Sequence, residues 1–189
     1  MAVSNAFRNQ IQNRNFLSPV GFKFVVNRAR KVSFFGNSMN IPGLTFGFAN
    51  QPTYLKDIPI PGDKMEFEDF AFQFMVDENL ENYREIQHWM RSIAYPESLA
   101  EIYNWQINQV TENPRGSRDL ERLLVSDGSL VILTSNSTNN FQIKFKDLWP
   151  YSLSTLNFDA TESDYNYMSA TVRFKYTMYN ILDMTGNPL

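Results

Sequence analysis

The strongest constraint in this chain is a period of two. Between Asp69 and Asp77 the residues Phe70, Phe72, Phe74 and Val76 alternate with Ala71, Gln73 and Met75. Near the C-terminus Ala170, Val172, Phe174, Tyr176 and Met178 alternate with Ser169, Thr171, Arg173, Lys175 and Thr177. Successive side chains of a strand point to opposite faces, so each segment reads as a ribbon with one dry and one wet side. Phe72, Phe74 and Phe174 are the expected core anchors. Read as one strand from Met168 to Tyr179, the last segment is roughly 40 Å long at ~3.3 Å per residue.

Other segments repeat the pattern. Phe22, Phe24 and Val26 share a face in "GFKFVVNR", and "GSLVILTS", "NSTNN" and "FQIKFKDL" read as a hairpin with Phe141, Ile143 and Phe145 inward. The sequon at Asn136 is read as a polar turn. "SMNIPGLTFGFANQPTYL" reads as short extended pieces broken by Pro42, Gly43, Gly47 and Pro52. Pro59 and Pro61 cannot donate to a ladder, which marks "DIPIPGDK" as an edge segment, with Pro-Gly-Asp turning the chain. Phe67 falls on the opposite parity to Phe70, and a bulge near Glu68 and Asp69 reconciles them.

One helix is expected over 80–94. Leu80, Tyr83, Ile86, Met90 and Ile93 recur every three or four residues, Asn79 is a candidate N-cap, and Tyr95-Pro96 stops the helix. The chain thus divides into an N-terminal arm (1–20), a β domain (21–182) carrying an insertion at 97–127, and a short tail (183–189). At 189 residues this is one domain's worth of chain.

Catalytic chemistry is sparse. The single histidine, His88, has Glu85 one turn earlier and could form a base, but a helix-surface role is the ordinary reading. Phosphate-cradling loops, nucleophile elbows and Cys/His metal spacings are absent. Glu66, Glu68 and Asp69 cluster without a further ligand, and read as a solvated strand edge. No enzyme, metal or cofactor is expected. With no cysteine there is no disulfide framework, no apolar run approaches a membrane span, and the first residues lack a signal-peptide core; a cytoplasm-like compartment is expected.

Charge is uneven. Before Asp57 there are seven basic residues and no acidic one; from Asp57 onward 20 acidic residues stand against 10 basic. Such polarity suits nucleic-acid binding, or head-to-tail self-association, unless the two halves interleave and cancel in the fold.

Three segments resemble the tail tube proteins of contractile-tailed bacteriophages: "IPGLTF", then "IPIPGDKMEFEDFAFQFMVDENLENYREIQHWM", then "FKDLWPYSLSTLNF" followed by "SATVRFKY". Order and spacing carry the resemblance, which covers roughly residues 20–96 and 140–180. It implies a mainly β fold (α+β), an antiparallel β-barrel or sandwich with one flanking helix. Six copies would join edge to edge into a ring with a 24-stranded inner barrel, and rings would stack into a tube.

Under that resemblance the working residues are interfacial. Neighbour contacts are expected at Phe7, Arg8, Arg14, Pro59, Pro61, Asp63 and Lys64. Lumen-facing candidates are Glu66, Glu68, Gln73, Arg173 and Lys175. In "LWPYSL" the proline is expected to end one strand, with Trp149 anchoring the corner before the next strand in "LSTLNFDA". The implied partners are a homo-hexamer, stacked rings, sheath, baseplate or hub proteins, and DNA in transit, in a virion tail assembled in the host cytoplasm. A baseplate tube-initiator ring is the alternative, and a nucleic-acid-binding β domain the more distant one.

Overall fold

The computed structural model describes residues 17, 19–102, 124–159, 161 and 167–188. The expected contacts at Phe7, Arg8 and Arg14, and most of the 97–127 insertion, lie outside the described residues.

Nine strands and one α-helix make up the described body. They are β1 (Phe22–Val26), β2 (Gly36–Met39), β3 (Leu44–Gln51), β4 (Ile58–Phe67), β5 (Phe70–Met75), α1 (Glu81–Ala94), β6 (Ser126–Leu133), β7 (Asn139–Leu153), β8 (Ser169–Lys175) and β9 (Met178–Asp183). All pairings are antiparallel. One layer runs β1-β6-β7-β9; the other runs β7-β8-β5-β2. The fold is mainly β with a flanking helix, as expected.

β7 belongs to both layers. Its first half pairs with β6 and β9, and from Trp149 it pairs with β8 instead. The Trp-Pro pair therefore does not end a strand, contrary to expectation. Asp147, at φ 55°, bends the chain, and Pro150 continues in register with Phe174. A proline is tolerated there because β6 pairing stops at Leu148, leaving β7 an edge strand with one open side. Pro150 is the buried residue of the pair and Trp149 is 36% exposed, so Trp149 is not a core anchor. "LSTLNFDA" likewise forms no new strand: β7 itself runs to Leu153, and 154–159 is irregular.

The C-terminal alternation is also broken. β8 ends at Lys175, a bend at Tyr176 and Thr177 follows, and β9 joins the other layer. Thr177 fixes the bend, its N–H on the Lys146 carbonyl at 3.0 Å and its hydroxyl on Asp147 at 3.1 Å. Both strands thus change layers at one level. The residues past Asp183 fold back on it: Thr185 and Asn187 donate to its carboxylate, which holds that carboxyl below its ordinary range.

The core is aromatic. Phe24, Phe70, Phe72, Phe74, Phe145 and Phe174 are each at most 1% exposed. Phe24 sits 4.8 Å from Phe70 and 4.9 Å from Phe72, ring centre to ring centre. Burying each such ring contributes about 2–3 kcal/mol, so the inward set selects this register over a one-residue slip.

α1 packs against the 3-10 turn at Lys31–Phe35 and against β7, with Trp89 set 6.1 Å from the core ring of Phe174. The expected boundaries hold, but the apolar stripe is displaced: Asn82, Ile86, Trp89 and Ser92 are buried, with Tyr83, Met90 and Ile93 at the flanks and Leu80 exposed. Asn79 does not cap the helix. Leu80 takes that place at φ 56°, and buried Asn82 ties the connection by donating to the Met75 carbonyl (2.9 Å) and accepting from the Asp77 N–H (3.3 Å). Trp89 reaches the Leu124 carbonyl at 2.8 Å. Part of the charge asymmetry cancels here, since Lys31 pairs with Glu81 at 2.6 Å and its backbone N–H donates to Glu85. Burial pushes the Glu85 carboxyl up.

A candidate assembly surface

β2 and β3 on one side, and β4 and β5 on the other, form one long hairpin. Its base pairs Gly36 with Phe74 and Met39 with Phe72; its outer half pairs Leu44 with Phe67 and Gln51 with Ile58. Glu68 and Asp69 break the strand between β4 and β5, but the expected bulge is absent there: from Met39–Phe72 to Leu44–Phe67 the two strands advance equally, with no extra residue on either. The expected turn at Pro-Gly-Asp is absent too. β4 runs straight through it, and the reversal comes earlier in the chain, at residues 52–57.

A bulge opposes Gly47 to Gly62–Lys64. A Cβ on Gly62 would lie 2.6 Å from the Gly47 carbonyl oxygen, so a close backbone crossing, rather than a reversal, is what the glycine permits.

The outer half, β3 with β4, is paired to no other described strand. Every residue from Leu44 to Glu66 is exposed. Its register gives it two unlike faces. Leu44, Phe46, Phe48, Met65, Pro59 and Pro61 lie on one with Asn50, and Thr45, Glu66 and Gln51 lie on the other with Ala49, Ile58 and Ile60, so the first is the more aromatic and the second is mixed. Phe46 is 58% and Phe48 72% exposed. A two-stranded ribbon is marginal in water without a covering layer, and an apolar face of this kind marks a contact surface.

The apolar face continues that of the body. Phe67 is wedged between Tyr176 and Tyr179, at 5.9 and 5.8 Å. Among the lumen candidates, Gln73, Arg173 and Lys175 come together on the outer face of the β7-β8-β5-β2 layer, opposite Phe72 and Phe74. Gln73 lies in register with Thr171 and Arg173 with Ser152. Lys175 pairs with Asp69 at 2.5 Å and lies over the Tyr151 ring. Hydrogen bonds from Lys175 and then Tyr151 hold the Asp69 carboxyl below its ordinary range. Glu66 stands out on the ribbon and Glu68 at its base, so the candidates do not form one cluster. Pro59, Pro61, Asp63 and Lys64 all lie on exposed β4.

Sequence reasoning missed the apolar ribbon side chains, Phe46, Phe48 and Met65, although the alternation of Leu44, Phe46 and Phe48 was available. It also missed the two open edges. Among the described residues, no strand pairs with the outer side of β2 or with the free side of β7 beyond Leu148. Four antiparallel strands separate those edges, so the edges run in opposite senses.

His88 is exposed and accepts from Arg84 at 3.1 Å, an ordinary helix-surface pair. Among the described residues no group of His, Asp and Glu is placed to hold a metal ion, and no helix is long and apolar enough to cross a membrane.

Among solved structures, the chain is similar in fold to a component of the anti-feeding prophage baseplate, 6-fold symmetrised (TM-score 0.55, 10% identity, 91% of this chain and 98% of that one). It is similar to a chain of the anti-feeding prophage tube-terminating cap (TM-score 0.55, 14% identity, 97% and 99%). It is also similar to one from the sheath-tube complex of an extracellular contractile injection system, PVC, in the extended state (TM-score 0.54, 12% identity, 90% and 94%). None of the curated proteins compared with it matches. The family model for phage tail tube proteins matches residues 2–182, nearly the whole chain. The alternating strands, the unpartnered ribbon and that match together place this chain in the phage tail tube protein family.

Proposed function

We propose that this chain is the repeating subunit of an inner tail tube, forming stacked hexameric rings whose lumen conducts DNA during ejection. The observation that carries this reading is the exposed β3–β4 ribbon, whose aromatic face is covered by no strand among the described residues. A neighbouring copy is the occupant it suits, because the two open edges are complementary. Rotation about a common axis brings β2 of one subunit beside the β7 edge of the next in the antiparallel sense. Four strands from each of six copies then give the 24-stranded inner barrel, which removes every edge of that layer.

In that arrangement the face bearing Gln73, Thr171, Arg173 and Lys175 lines the lumen. An unmatched base there would retain DNA phosphates. Asp69 offsets Lys175, and most of the remaining positions are uncharged, such as Ser169, Thr171 and Ser152.

The similarity to a baseplate component supports a second reading, a tube-initiator ring present in few layers. Negative-stain images of the purified protein separate the two. Open-ended tubes support the repeating subunit and discrete rings the initiator. A population that stays monomeric up to high concentration would sink both.

A further inference from the structure

The level at which the ribbon leaves the body is densely tied. Along the hairpin, Asn40 donates from its side chain to the Asp69 carbonyl at 3.1 Å and accepts from the Ala71 N–H at 2.6 Å. The Glu68 N–H donates to the Gly43 carbonyl at 3.1 Å. These bonds hold the two strands to each other.

A second set comes from outside the hairpin. The Tyr176 hydroxyl donates to the Glu68 carbonyl at 2.8 Å, and the Tyr179 hydroxyl donates to the Pro42 carbonyl at 3.1 Å. On the opposite face the Tyr151 hydroxyl and the Lys175 ammonium both donate to the Asp69 carboxylate. At one level, therefore, the strand at Glu68–Asp69 is gripped from both faces and the strand at Pro42 from one, by side chains of β7, β8, β9 and the bend between the last two. That level coincides with the bends at Asp147 and Tyr176–Thr177, where β7 and the β8–β9 run change layers.

Beneath the grip the rings of Phe67, Phe145, Tyr176 and Tyr179 touch in sequence. Phe145 lies 5.1 Å from Tyr176 and 5.9 Å from Tyr179. A ribbon joined to the body by its two backbone strands alone would pivot about its base. Four outside donors on two faces remove that freedom.

We propose that Tyr151, Lys175, Tyr176 and Tyr179 are positioning residues that clamp the hairpin at Pro42 and at Glu68–Asp69, fixing the ribbon's exit direction before a neighbour binds. Preorganisation of this kind lowers the ordering cost of each ring contact. Its use in assembly rests on the tube-subunit reading; the clamp itself does not.

The chain has no cysteine, so a labelled pair is unambiguous. Spin labels are placed at Thr45→Cys, just beyond the clamp, and Gln87→Cys, exposed on α1. Distance distributions are measured by pulsed EPR on monomeric protein at low concentration. The parent is expected to give one narrow distribution, and both Tyr176→Phe/Tyr179→Phe and Asp69→Asn a broader one, with the urea midpoint of the body retained. Where the tyrosine pair destabilises the body, the surface variant Asp69→Asn still decides. The concentration for half-assembly is expected to rise roughly ten-fold in the double tyrosine variant, as for two hydrogen bonds of modest net worth. Variants with distributions as narrow as the parent's, or a parent already broad, would overturn the clamp. A parent that never assembles would instead remove the tube reading and leave the distances to judge the clamp.

Discussion

The two halves of the long hairpin make an instructive pair. At its base, Phe72 and Phe74 alternate with Ala71 and Gln73 and are completely buried. In its outer half, Phe46 and Phe48 alternate in the same way and stay 58% and 72% exposed. The chain is continuous in register between them apart from its bulges. Alternation thus states that a face is dry, and leaves open which molecule dries it. The base is satisfied by its own fold; the ribbon presents the same need to the outside.

The sharpest break of this comparison is a pair of truncations. Phe72→Ala is expected to cost about 3–5 kcal/mol of monomer stability, as for other buried aromatic deletions. Phe48→Ala should leave the monomer within about 0.5 kcal/mol, as for ordinary surface changes, while preventing ring or tube formation. Urea unfolding and negative-stain counts measure both. A comparable monomer loss at Phe48 would mean the ribbon lies against its own body in solution.

Asn82→Ala probes the body alone. It orphans the Met75 carbonyl and the Asp77 N–H, and about 1–3 kcal/mol of urea stability should be lost. Gly62→Val probes the ribbon alone. Its Cβ meets the Gly47 carbonyl, so amide exchange across 44–67 should accelerate while the body's unfolding midpoint moves by less than about 0.5 kcal/mol.

The smallest expected effect is electrostatic and differs in sign between two regions. Asp69, at the ribbon base, has a lowered folded value, so its contribution is complete above the ordinary carboxyl range and is lost as pH falls through the folded value. Glu85, in the body, has a raised value, so its contribution is greatest below its ordinary range and fades as pH rises through the folded value. Stability measured against pH should therefore flatten on the acid side in Asp69→Asn. In Glu85→Gln the decline on the other side should disappear. Identical profiles for both variants and the parent would show that neither carboxylate is linked to folding.

Much of the body was legible in the sequence because burial imposes period two on a strand. Phe72, Phe74 and Phe174 are core, and the hairpin of β6 and β7 follows from its polar turn, whereas the parity of Phe67 wrongly suggests a bulge where the strand only breaks at Glu68 and Asp69. Where residue types and tertiary pairing disagreed, pairing won. Pro150 and the Pro-Gly-Asp run look like stops, yet each lies where the strand lacks a second neighbour, so the missing donor or the extra residue is tolerated. Trp149 looked like an anchor by size, but the parity set by Pro150 and Phe174 turns it outward.

The ribbon and its clamp were harder to foresee. Tyr176 and Tyr179 bond to backbone carbonyls more than a hundred residues away, at Glu68 and Pro42, and backbone acceptors leave no mark in a sequence. The lumen candidates were only half assembled by the fold. Gln73, Arg173 and Lys175 share a face because they share strand parity, while Glu66 lies on the ribbon and Glu68 in the break between β4 and β5.

β7 carries one more consequence. Because a single run of backbone is woven first into one sheet and then into the other, tension on either layer is delivered along covalent bonds to its companion. Peeling the β8 layer off at Trp149 drags on the same strand that β6 and β9 grip from both sides. A cylinder made of such units would resist stretching as a laminate does, with its two skins stitched together in every subunit.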